Sequence, residues 1–459
     1  MMEWWNGENE RPAARRRNEN RGCQQVPVIL ATTLLLLGTS SVLAWAEAPS
    51  LARYRTGTPD PRVHRVPGDV QRGVFADPER YVEPLVRSLL SGIDDDFHKC
   101  KILHDWIAEH IAYDVESYLS GKIPSSTWKP TLRARRGVCH GYAELMKKLC
   151  GLAGIPCERI KGYGRGYSFR PGDDENLGRS NHAWNAVYLG GRWHLVDVTW
   201  DAGHVSGTAY RKRYSTAYLF PAPSRFVYTH LPAEPKWQLL SPRLTREQFA
   251  ELPYLSGRFF EHRLRLLTAL KQVNRMRDSV QFAIEVPEDV QIRAGVKPPN
   301  GEELDRRALV QRDGPRTTVL ATFPRPGRWL VRVFSKRRDE DGPYWRCASF
   351  VFDTTSGTAR TFPETYGAYQ RLGASLERPL YVPIATGRPT SFRIRVPGAS
   401  EVNLVIDKRW QKLRPVAGQD DLFELSAAIP QGAWALLVAK PPGSDGGHQT
   451  LLSFTPDQL

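Results

Sequence analysis

The chain has 459 residues, 41% hydrophobic and 25% charged. That composition is globular, and the length exceeds what one hydrophobic core serves, so more than one domain is expected. The net charge of +15, from 64 Lys and Arg against 49 Asp and Glu, is spread along the chain. It favours loose attraction to acidic surfaces, and no nucleic-acid partner is expected. The cysteines are Cys23, Cys100, Cys139, Cys150, Cys157 and Cys347, with no CxxC pair. They fit neither a zinc site nor a disulfide scaffold. In an oxidising compartment Cys150 can pair with Cys157 or Cys100, leaving Cys139 free. No calcium loop of EF-hand type is visible, and no metal or cofactor is expected.

Residues 1–25 are polar and basic, and Val26 to Leu43 form an apolar run. Ala44-Trp45-Ala46 then places small residues at a cleavage site, so residues 1–46 read as a signal peptide. The run is also about long enough to span a bilayer, which makes a single-pass anchor the alternative. The chain is expected to be secreted or extracytoplasmic, touching membrane only through this segment. Residues 47–75 are rich in Pro, Gly, Arg and Thr and read as a linker. Tyr81, Leu85, Val86, Leu89 and Leu90 predict one helix, and Ile102, Leu103, Trp106, Ile107 and Ile111 a second, with N-caps offered by Asp94, Asp95 and Asp96.

After a loop, Arg136-Gly137-Val138-Cys139-His140-Gly141-Tyr142 opens an amphipathic run, in which Tyr142, Leu145, Met146 and Leu149 recur at helical spacing. Cys139 then sits in the first turn, where unpaired N–H groups and the helix dipole favour a thiolate. The plainer reading is a small buried residue at a helix start. Residues 157–163 predict a strand. Asn181-His182-Ala183-Trp184-Asn185 to Leu189, Gly190-Gly191, and Arg192 to Trp200 predict a β-hairpin with a two-residue turn. Residues 201–257 look irregular. A helical linker is expected over 262–275, and the chain then turns all-β. Ser279 to Pro287 followed by Gly327-Arg328-Trp329 parallels Ser391 to Pro397 followed by Gly432-Ala433-Trp434. This reads as two copies of one β-sandwich module.

Pairing the hairpin about Gly190-Gly191 sets His182 opposite Thr199 and Trp184 opposite Asp197. Asp197 becomes the diagonal neighbour of His182 on one face. A carboxylate in so apolar a strand needs a partner, and one that holds an imidazole makes a base with its orienter. The plainer readings are a structural strand histidine and a carboxylate capping a nearby turn. His194 points to the other face, His140 projects around the helix, and Asp201 and His204 lie beyond the hairpin. The candidate catalytic residues are Cys139, His182 and Asp197. The Cys139 N–H is one oxyanion donor. Trp128 is a candidate for the second, with a core or rim role as its plainer reading.

Gly137 to Ala143, Asn181 to Asn185 and Trp193 to Trp200 resemble the three motifs of the transglutaminase-like cysteine-protease superfamily, with Cys139, His182 and Asp197 on the catalytic positions. Phe226-Val227-Tyr228-Thr229-His230-Leu231-Pro232 through Trp237-Gln238-Leu239-Leu240 is similar to a signature of the kyphoscoliosis peptidase group, as are the paired β-modules. The resemblance implies an α+β fold, a papain-like core of N-terminal helices on an antiparallel sheet, followed by two β-sandwich modules. The expected domains are 76–258 for the core, 259–355 for the first module and 356–459 for the second. It implies acyl chemistry through a thioester on a protein or peptide substrate, with hydrolysis placed before amine transfer. The alternatives are a catalytically silent binding protein that uses the fold and the β-modules, and a cell-surface scaffold anchored by residues 26–46. The N-terminal apolar segment departs from the family's intracellular, cytoskeletal members.

Overall fold

The computed structural model describes residues 49–123, 127–172, 177, 180–443 and 447–454. The apolar segment 26–46 and Cys23 lie outside them. No helix among the described residues is long and apolar enough to cross a membrane.

The segment expected to be a linker is folded. It forms helix α1 (Gly68–Ala76), and Leu51, Tyr54, Val63, Val74 and Phe75 are buried in the helical core. Composition hid this because the apolar side chains are few and widely spaced. Helices α2 (Pro78–Leu90) and α3 (Asp96–His110) follow, capped by the Asp77 and Asp95 side chains. Ile102, Leu103, Trp106 and Ile107 of α3 are fully buried. Short strand β1 (Ala112–Tyr113) runs parallel to β2 (Arg136–Gly137), with Tyr113 beside Gly137. Between them lies α4 (Trp128–Ala134).

Helix α5 (Cys139–Leu152) starts at Cys139 and buries Tyr142, Leu145, Met146 and Leu149 against α3. The Tyr142 hydroxyl donates to the Ile111 carbonyl at 2.6 Å. At Gly141 a Cβ would come within 2.4 Å of Thr131 Oγ1, so glycine there lets α4 and α5 pack closely.

The core sheet is antiparallel, in the order β5 (Arg192–Val196), β4 (His182–Leu189), β3 (Cys157–Gly164), β6 (His230–Pro232). Gly190 and Gly191 both have positive φ and close the β4–β5 hairpin. Its register sets Asn185 opposite Val196 and Tyr188 opposite Trp193. The second strand ends earlier than expected: Asp197 leaves the sheet as the N-cap of α6 (Val198–Ala202). Asn185 ties the sheet to α5, its Nδ2 donating to the Ala143 carbonyl at 3.0 Å. The pairing that an oxidising compartment would allow Cys150 is not formed here. Cys100, Cys150 and Cys157 are buried free thiols, with Cys150 hydrogen-bonded to the other two.

The stretch 262–275, expected to be helical, instead opens the first β-module with strands Arg265–Leu266 and Val273–Met276. A short helix, Gly257–Glu261, precedes it. Each module is a pair of packed sheets. The first pairs Ser279–Glu285 with Arg316–Thr322, and Gly327–Arg337 with Trp345–Thr354. The second pairs Pro389–Arg395 with Gln419–Ala428, and Ala435–Lys440 with Gln449–Phe454. The two tryptophans that marked the repeat are not equivalent. Trp329 is buried within its strand, whereas Trp434 precedes its strand and is 41% exposed.

Candidate active site

Cys139 is the first residue of α5, where the helix leaves backbone N–H groups unpaired. Its side chain is half-buried and hydrogen-bonds to the His182 ring and the Ala183 N–H. His182 begins β4, and the sequence fixes it from both sides. The Asn181 side chain clamps Gly164, accepting from its N–H at 2.7 Å and donating to its carbonyl at 3.2 Å. A Cβ at Gly164 would stand 2.9 Å from His182 Cβ, so glycine gives the imidazole its place. The ring lies between Trp200 and Trp184, at centroid distances of 5.1 and 5.9 Å.

Asp197 is fully buried, and both its oxygens are used. Oδ1 accepts from the Thr199 and Trp200 N–H groups at 3.0 and 3.3 Å and so caps α6. Oδ2 accepts from His182 Nε2 at 2.7 Å and from His230 Nε2 at 3.1 Å. The capping reading and the imidazole-holding reading of this carboxylate are therefore both true. With Nε2 engaged, Nδ1 is the His182 nitrogen left for the thiol.

The electrostatics follow from this wiring. Burial pulls the His182 imidazole down, but the Asp197 and Cys139 charges raise it to about 10. Burial pushes Asp197 up, and the two imidazoles bring it well below the ordinary carboxylate range. Burial likewise pushes the Cys139 thiol up, and His182 with the Ala183 N–H outweighs it and leaves the thiol below its ordinary value. The site thus favours a thiolate–imidazolium pair.

His230 was missed as a site residue. It stood in the Tyr228-Thr229-His230 signature without a role, and β6 brings it to the site. It is buried against Phe226, with ring centroids 3.8 Å apart, and burial lowers it to about 4. It is a neutral donor to Asp197, its Nδ1 lying 2.9 Å from Thr229 Oγ1. His182, Asp197 and His230 also group like metal ligands. Ligand atoms on a tetrahedral metal stand about 3.4 Å apart. The 2.7 Å His182–Asp197 spacing is instead that of a charge-assisted hydrogen bond.

Tyr113 was missed too. Burial raises its phenol far above the ordinary value, and the neighbouring Cys139 charge adds to the shift, so it stays protonated. Trp128, by contrast, packs against the helical core with Lys129 and Lys148 over its ring. Among the competing residues, Asp201 accepts from buried His104 Nε2 at 3.1 Å and from the Tyr218 N–H. His194 packs edge-on to Phe97 on the opposite face, His140 lies 3.8 Å from Glu144, and His204 packs edge-on to Trp345.

The site opens into a cleft of 1790 Å³ between the core and the first β-module. Tyr113, His182 and Trp200 line it on the core side, and Lys297, Arg332 and Trp345 on the module side.

Residues 83–198 match the model of the transglutaminase-like superfamily. That stretch is a transglutaminase-like core. Residues 246–363 match the KY-like, immunoglobulin-like domain, C-terminal to the transglutaminase-like core. Kyphoscoliosis peptidase of Mus musculus is 37% identical over 180 residues, covering 38% of this chain and 27% of the mouse protein. The Homo sapiens protein of that name is 36% identical over 183 residues, covering 39% and 27%. Hillarin of Drosophila melanogaster is 28% identical over 233 residues, covering 47% and 28%. The matches thus span little more than a quarter of these relatives. Cys139, His182 and Asp197 fall inside the matched transglutaminase-like core, whereas His230 falls between the two matched domains.

Proposed function

We propose that the chain is a cysteine acyl-transfer enzyme acting on protein amide bonds, with peptide hydrolysis as its first activity. One observation carries this reading: His182 is held by Asp197 through Nε2 while its ring also hydrogen-bonds Cys139 at a helix N-terminus. The thiol proton resides on His182, and the Cys139 thiolate attacks the amide carbonyl. The Cys139 N–H and the Tyr113 phenol stabilise the oxyanion. Collapse of the adduct breaks the C–N bond, and His182 gives its proton to the leaving amine. Water then attacks the thioester with His182 as base, releasing the acid and restoring the thiol. An amine in place of water gives acyl transfer. His230 acts through Asp197 and is a positioning residue.

Iodoacetamide labelling of Cys139 tests the reading. Rapid labelling is expected to persist at slightly acidic pH, below the ordinary thiol range, and to be lost there in His182→Ala. Labelling that rises only with free-thiol ionisation and ignores His182 would sink the enzyme reading and leave the fold a binding role.

A further inference from the structure

The cleft is strongly one-signed. Eleven Arg and Lys residues line it, against three carboxylates among the described residues, Glu261, Asp339 and Glu340; of the eleven, Arg165 is fully buried on backbone carbonyls, and Arg263 and Arg337 pair with Asp289. Glu340 is already committed, paired with Arg213 at 3.0 Å and Arg258 at 3.4 Å.

The cationic wall is built by one loop and one face of the first module. Residues 166–172 leave the end of β3 and cross to that module. Phe169 stacks on Tyr254 at 5.6 Å, Arg346 lies over the same Tyr254 ring at 5.0 Å, and Gly172 abuts Val351. This docking brings Arg170 into one group with Lys297, Arg332 and Arg346, all on the cleft wall. Arg170 donates to the carbonyls of Tyr167 and Phe169, and Arg332 is paired with Glu303. The group feels its own charge. Burial first, then Arg332, Arg170 and Arg346, lower the Lys297 ammonium from its ordinary value, with Glu303 opposing. Asp173, Asp174 and Glu175, next along the chain, lie outside the described residues and are not counted.

The loop's other end belongs to the site. Gly166 lies against Trp200, which stacks on His182, and Tyr167 meets Tyr118 edge-on at 6.4 Å. A chain bound along this loop therefore runs from the imidazole to the cationic group without leaving the cleft. Like charges held together on a cleft wall are relieved by an anionic ligand, and such a surface selects and steers acidic partners.

We propose that the cleft receives an acidic protein segment, with the carboxylates flanking its reacting amide bound by Arg170, Lys297, Arg332 and Arg346. The proposal deepens the enzyme reading by naming its substrate class, and it rests on that reading for the word substrate. A protein segment is favoured over nucleic acid because the cationic wall continues into a site built for an amide carbonyl.

The test is binding to the full chain carrying Cys139→Ala, followed by fluorescence anisotropy. The probes are a labelled peptide with a central glutamine flanked by glutamates and its neutral counterpart with those glutamates replaced by glutamine. At low salt the acidic peptide should bind about tenfold tighter, and the margin should shrink as salt rises. Lys297→Glu with Arg346→Glu should abolish the margin, and Arg170→Ser, on an exposed loop, should reduce it should the double variant fold poorly. Equal binding of the two peptides overturns the proposal, as does a margin insensitive to salt and to the variants. Displacement of the peptide by a single-stranded oligonucleotide that itself binds more tightly overturns it in favour of nucleic acid. The assay needs no turnover. Its failure leaves the thiolate reading standing, and failure of the labelling test leaves acidic-segment binding standing.

Discussion

His230 Nε2 stands 3.1 Å from the Asp197 oxygen that His182 Nε2 holds at 2.7 Å. One carboxylate oxygen serves two imidazoles, one raised to about 10 and the other lowered to about 4. Replacing His230 by Phe keeps the stack on Phe226 and removes the second donor. A hydrogen bond to a buried charged group contributes about 1.5–3 kcal/mol, and urea denaturation should show a loss of that order. The acid limb of Cys139 labelling should hold or move down, because an Asp197 with fewer donors holds the imidazolium more firmly. An upward move would mean that His230 brings positive charge to the site.

Asp197→Asn separates charge from capping. The amide oxygen still accepts from the Thr199 and Trp200 N–H groups, but the imidazolium loses its counter-charge. Cys139 labelling near pH 6 should fall by about tenfold or more. The carboxyl is depressed in the folded protein, so its stabilisation is present above the unfolded value and lost as pH falls through the folded one. The acid-side loss of stability should therefore be smaller in the Asn variant. Asp197→Ala should cost about 1 kcal/mol more through the lost cap.

Tyr113→Phe tests the second oxyanion donor. Iodoacetamide labelling should be unchanged, since that reaction forms no oxyanion. Acylation of Cys139 by p-nitrophenyl acetate should slow by about 100-fold or more. Equal loss of both would mark Tyr113 as a packing residue.

How far the sequence alone reached depends on the range of the interaction. The hairpin register was legible because Gly190-Gly191 admits one turn type and the pleat does the rest. The helix start at Cys139 was legible from apolar spacing. Asp197 was placed on the right face but in the wrong element: Val198-Thr199-Trp200 has strand chemistry, yet the Asp197 side chain offers two N–H groups a helical cap. His230 and Tyr113 were not legible as site residues. The first arrives through pairing of β6 with β3, and the second through the parallel β1–β2 contact, neither of which leaves a local pattern.

Gly141→Ala should test the packing behind the nucleophile. The new methyl meets Thr131 Oγ1 at 2.4 Å, inside any tolerable contact. Overpacking of this kind costs about 1–3 kcal/mol, and displacement of α5 should slow Cys139 labelling. Gly141→Ala with Thr131→Ala should recover most of both, as measured by thermal unfolding and by labelling rate.

Beneath α6 a buried His104 bridges Asp105 at 2.9 Å and Asp201 at 3.1 Å. Burial lowers it, but the two carboxylates raise it to about 9. Its folded value lies above the unfolded one near 6.5, so its stabilisation is full below about pH 6.5 and lost as pH rises through about 9. Urea midpoints should therefore fall between pH 7 and 10 in the wild type. The fall should be smaller in His104→Gln, which keeps the His182 contribution but loses that of His104. Equal falls in both proteins would exclude a charged His104.

Arg165 is fully buried, and its guanidinium donates to the carbonyls of Tyr228, Phe249 and Leu252, while its own N–H meets Thr229. One side chain at the end of β3 therefore staples down the passage that delivers His230 and leads on to the first β-module. The border of the matched family core and the border of the working unit differ as a result. A fragment cut at residue 198 would expose the edge of β3, strand Arg165 in an unfilled interior and lack His230. A junction that keeps this chain's core whole therefore lies beyond Leu252.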